Sequence, residues 1–145
     1  MTEAFDAIDI FWARLAVHIR AEHLHLFPAA LKVSENDDSL SGVPELLELL
    51  RRDHNFFMHE LAEAIRELRS VTAATAREVS RDVLRRLESV RDRLIEHNAV
   101  EEERIYPLRR PMVSRDADEL LRSLETELNN LPPRVVKRNN DNAAA

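Results

Sequence analysis

No cysteine occurs among the 145 residues. That excludes disulfides, thiol nucleophiles, zinc–thiolate sites and iron–sulfur clusters, so a bound metal has to be held by nitrogen and oxygen donors. Glycine appears once and aromatic residues make up 5% of the chain, while 33% of residues are charged; that balance favours helices over strands. Positive charge is in deficit, with a net charge of -6, and the arginines are interleaved with acids rather than gathered into a basic run. A nucleic-acid partner is therefore not expected. No apolar run approaches the roughly 20 residues of a membrane span, and no signal peptide opens the chain. A soluble, cytoplasmic protein with no membrane partner is the expectation.

What remains is a set of helical patterns. Phe5, Ile8, Phe11, Trp12, Leu15 and Ile19 recur at three- and four-residue spacing, which predicts an amphipathic first helix over about residues 3–30, with Pro28 bending or ending its last turn. A polar loop, SENDDSLSG, holds the only glycine, and Pro44 suits the first turn of a second helix that fades near Ser70. Thr75 and Glu78 are spaced as a capping box for a third helix running to about Arg109. Pro111 forces a break, and Asp116 to Asn130 reads as a shorter amphipathic fourth helix. The prediction is all-α: an antiparallel four-helix bundle over residues 1–131, with residues 132–145 as a mobile tail.

One motif occurs twice. His18 to Pro28 reads HIRAEHLHLFP and His97 to Pro107 reads HNAVEEERIYP, so His, Glu, an aromatic residue and Pro recur at a constant offset of 79 residues. Phe5, Ile8, Phe11 and Leu15 fall on Leu84, Leu87, Val90 and Leu94 at the same offset, as in a duplicated helix pair. Residues four apart share a helix face, so each segment presents an imidazole beside a carboxylate. His97 shares the face of Leu94 and Val90, His18 that of Leu15 and Phe11, and His54 lies on the stripe of Leu50 and Phe57. Burying such groups is costly unless a cation meets them. Nitrogen and carboxylate oxygen suit iron, manganese or zinc, and paired carboxylates in a bundle core are a usual means of holding two metals. The candidate ligands are His18, Glu22, His54, His97 and Glu101. His23 and His59 each sit five residues from a candidate, about 140° round the helix, and are expected to be exposed. His25 is an outside candidate two turns from His18. The FP and YP pairs are expected to pack the bundle end and stop the helix.

HxxxE followed by an aromatic-Pro pair, with Asp53-His54 on the preceding helix, resembles the hemerythrin-like family, the HHE cation-binding domain. The resemblance covers roughly residues 5–109 and implies the same five ligands, holding two non-haem irons joined by an oxygen bridge. It also implies a small partner: dioxygen, nitric oxide or peroxide. Three departures stand out. The family's usual opening helix with its own His has no counterpart, so that the C-terminal helix, which has no histidine, is left to take its place. Met58 stands where oxygen carriers have a second His, and Glu22 is followed by His23 where Glu101 is followed by Glu102. One metal is thereby expected to have a thinner ligand shell. Three functions are compatible with this pattern: a binder of dioxygen or nitric oxide for sensing, storage or delivery; an iron-dependent detoxifying or repair enzyme; and a metal-free helical module. A homodimer contacting through Trp12 is a further expectation.

Overall fold

The computed structural model describes residues 2–136. It is built from helices α1 (Thr2–Ala21), α2 (Phe27–Ser34), α3 (Val43–Arg69), α4 (Ala76–Val100) and α5 (Ser114–Leu128), with no strand among the described residues. The all-α bundle expected from the periodicity is what forms. α3 packs against both α1 and α4, and α5 packs against α1.

Pro28 does not end the first helix. Between α1 and α2 the chain makes a π-helical turn, Glu22–Leu26, closed by the Phe27 amide donating to the Glu22 carbonyl. The chain then continues as helix to Ser34. A second π-helical turn, Glu101–Ile105, follows α4 and is closed by the Tyr106 amide on the Glu101 carbonyl. In an ordinary helix a proline ring collides with the carbonyl four residues earlier; widening the turn ahead of Pro28 and Pro107 relieves that clash. The two turns carry the 79-residue repeat from sequence into backbone geometry. After the second, Tyr106–Arg109 tightens into a 3-10 turn.

Two other local expectations change. Thr75 precedes α4 but its backbone is already helical, so its side chain does not cap the helix. Its Oγ1 accepts from the Thr72 amide instead. The segment expected to be mobile from residue 132 is packed at its start: Val135 is 0% exposed and Arg134 reaches Asp9 on α1 at 3.4 Å. Residues 137–145 of that segment lie outside the described residues. Trp12 is half-buried against the apolar cluster of Ile8, Phe57 and Leu61.

The core is two apolar clusters with a polar layer between them. Leu26, Phe27, Leu47, Leu50 and Ile105 form one, and Ile8, Phe57, Leu61, Val83 and Val90 the other. On α3, His54 falls between Leu50 and Phe57; on α4, His97 falls beyond Val90 and ahead of Ile105. The division follows from the helical stripe itself, which changes from aliphatic to ionisable for one turn on each helix.

Candidate metal centre

Glu22, His54, His97 and Glu101 are all buried, and one donor atom from each lies within 4.8 Å of the other three. His54 Nε2 is 3.1 Å from Glu22 Oε2 and 3.1 Å from His97 Nε2. His97 Nε2 is 3.2 Å from Glu101 Oε1. Two ligands about 2.1 Å from one cation at the tetrahedral angle are about 3.4 Å apart, so these separations suit a shared ion. The carboxylates support the fit independently. Glu22 Oε1, Glu22 Oε2 and Glu101 Oε1 are buried and face imidazole nitrogens, at 2.8 Å from His18 Nε2, 3.1 Å from His54 Nε2 and 3.2 Å from His97 Nε2. Carboxylates in a core cost several kcal/mol each unless positive charge meets them, and a cation placed among these oxygens supplies it while the imidazoles stay neutral.

Each inward ligand is held from outside. Asp53 Oδ2 lies 3.2 Å from His97 Nδ1; a carboxylate only accepts, so in the neutral imidazole the proton belongs on Nδ1 and the Nε2 lone pair faces the cluster. Arg93 Nε donates to Asp53 Oδ1 at 2.6 Å and fixes that carboxylate. His23 Nε2 stands 2.9 Å from His54 Nδ1. The Tyr106 hydroxyl donates to Glu101 Oε2 at 3.2 Å, leaving Oε1 for the cluster. Phe27 stacks on the His54 ring, centroids 5.6 Å apart, and Phe57 meets the His97 ring edge-on at 5.3 Å.

Of the five residues singled out from sequence, four converge and His18 stands at the edge. Its side chain is 43% exposed, and its Nε2 lies 2.8 Å from Glu22 Oε1, on the side of that carboxylate away from His54. His59 is exposed as expected, and His25 faces Glu127 rather than the cluster. His23 differs from expectation: it is half-buried against His54. Sequence reasoning also assigned Phe27 and Tyr106 to the bundle end, whereas both touch ligands. The signal for them was the five-residue step from Glu101 to Tyr106 and from Glu22 to Phe27, which is the period of a π turn.

Electrostatics follow from the packing. Burial opposes ionisation of Glu22, but His18 and His54 together pull its pKa down to about 2. His18 is raised by its bond to Glu22 against the cost of burial. Burial lowers the His97 value, and Glu101 and Asp53 more than reverse it. Burial and the charges of His54 and Arg51 lower that of His23. Without a cation, the Glu22 contribution to stability is present above its ordinary value of 4.5 and lost as pH falls towards 2. The His18 and His97 contributions are present below 6.5 and lost as pH rises through their raised values. The metal-free fold is thus most stable between those two ordinary values. A cation needs the neutral imidazoles, so the rise in melting temperature on adding metal should be larger at about pH 8 than at about pH 5.5. A metal shift independent of pH would rule out histidine ligation.

The outer partners make a second prediction. Asp53→Asn and His23→Phe should each weaken metal retention by roughly 10–100-fold with the helical content unchanged, as read by competition with a chelator. Wild-type retention in both would mean that neither side chain orients a ligand.

Two cavities flank the cluster. One of about 410 Å³ lies between Glu22, Tyr106 and the leucines of α5, and the other, about 500 Å³, reaches His54 and His97 past Phe11 and Leu94; His18 borders both. Among the described residues, no helix is long and apolar enough to cross a membrane.

No curated protein and no solved structure matches the chain. Residues 1–109, which hold every residue of the cluster and both π turns, match the family described as hemerythrin HHE cation binding domain, and α5 lies outside the match. The buried His/Glu set and that match both support metal binding, and the chain belongs to the hemerythrin HHE cation-binding family.

Proposed function

We propose that the protein is a non-haem iron protein that binds dioxygen or nitric oxide for sensing, storage or delivery. The observation that carries this reading is the convergence of two buried carboxylates on two buried imidazole Nε2 atoms. Glu22, His54, His97 and Glu101 would hold an ion between them. Glu22 presents its second oxygen to His18, so those two residues would offer a further carboxylate oxygen and one imidazole to a second ion, a smaller donor set that would bind more weakly. Iron held there would supply Lewis-acidic, redox-active chemistry towards a diatomic ligand. The chain's part is to exclude bulk water with Phe27 and Phe57, to hold the imidazoles through Asp53 and His23, and to leave His18 beside both cavities. Manganese and zinc accept the same donors, and metal competition separates them from iron.

Anaerobic iron loading followed by desalting tests the reading. One iron per chain should survive, and a second should register only in excess iron. Addition of nitric oxide or air to the loaded protein should give a stable visible absorption change with no turnover. Protein that retains no iron under these conditions would sink the proposal, and steady consumption of dioxygen or peroxide would make it an enzyme instead of a carrier or sensor.

A further inference from the structure

We propose that the cavity between α5 and the Tyr106–Arg109 turn is a binding site for a small organic anion with an apolar body, of the class of a medium-chain monocarboxylate. The cavity measures about 410 Å³ and is walled by Leu26, Ile105 and Leu108 on one side and by Leu120, Leu121 and Leu124 of α5 on the other. Water takes about 30 Å³ of liquid volume per molecule, and a diatomic gas is of similar size, so the space exceeds what such a ligand needs by more than tenfold. Leucine walls give water few partners, and an apolar chamber of this size suits an organic ligand instead.

The polar groups on its lining choose the class. His18 and Glu22 face each other, and the Tyr106 hydroxyl is engaged by Glu101. Arg109 is different: it is exposed, borders the cavity, and its guanidinium has no hydrogen bond or ion pair among the described residues. A guanidinium at the rim of a leucine-lined chamber pairs with a carboxylate whose hydrocarbon body fills the interior. The body then points towards His18 and Glu22. Because α5 lies beyond residues 1–109, this wall belongs to the chain rather than to the family match. The site stands whether or not metal is bound.

Calorimetric titration of the full chain with octanoate and with octanol tests the proposal. Octanoate should bind saturably with a Kd below about 1 mM. Leu121→Trp, at a position 41% exposed, fills the chamber from α5 and should weaken both ligands by about tenfold or more, with circular dichroism to confirm the fold. Arg109→Gln, on the surface and free of folding risk, should weaken octanoate by about tenfold and leave octanol unchanged. Absence of saturable binding overturns the site, as does wild-type octanoate affinity in both variants. Octanoate binding that responds to His18→Ala but not to Arg109→Gln overturns the assigned orientation and the ligand class with it. Iron content is measured in parallel: octanoate binding by protein that retains no iron counts against the metal reading alone, and iron retention without octanoate binding counts against the cavity alone.

Discussion

Replacing His97 with alanine is expected to abolish iron retention, a larger loss than the roughly 10–100-fold that removal of an outer partner causes. His97 is the hub of the polar layer. Its Nε2 is within 3.2 Å of both His54 and Glu101, its Nδ1 faces Asp53, and its side chain is 3% exposed. Taking it away removes one inner donor, leaves Asp53 Oδ2 without its imidazole partner, and opens a gap between Glu101 and His54. His59→Ala is the matched control, because that side chain is 68% exposed and lies near Glu60, away from the cluster. Iron per chain after desalting, with circular dichroism to confirm the fold, distinguishes them. Equal retention in the two variants would mean that the convergence of these residues has nothing to do with metal.

Phe57→Ala should have the largest effect on stability. Phe57 is 0% exposed, sits in the cluster with Ile8, Leu61 and Val90, and meets the His97 ring edge-on. Truncating a buried phenylalanine costs about 3–5 kcal/mol, which lowers the melting temperature of a domain of this size by roughly 6–20 °C. The loss should appear in metal-free protein, since it arises from packing. In loaded protein it should be joined by weaker iron retention, because the freed imidazole no longer holds one orientation. A change of less than about 1 kcal/mol would mean that the surrounding helices close over the gap.

The helical rods were legible because an amphipathic helix needs only its period to declare its buried face. Leu50, His54 and Phe57 share a stripe, as do Val90, Leu94 and His97, and in the structure those stripes meet. Asp53 was visible as the neighbour of His54, but its service to His97 was not. That contact crosses from α3 to α4 and depends on how the two helices are rotated about their axes. His23 was assigned to the wrong face for a related reason. The 140° displacement was counted from His18, which itself stands at the rim, 43% exposed, so a rotation measured from it does not lead to solvent and His23 meets His54. The π turn after α4 carries Tyr106 to Glu101.

By itself the sequence determined the helical class, the repeat at an offset of 79 residues and five candidate donors, because each is a matter of residue type and spacing along one helix. Only the tertiary structure decided that His18 stands at the rim, that His23 and Asp53 brace the ligands, and that α5 walls a leucine-lined chamber. Those outcomes depend on the relative rotation and docking of separate helices, which pitch alone leaves free.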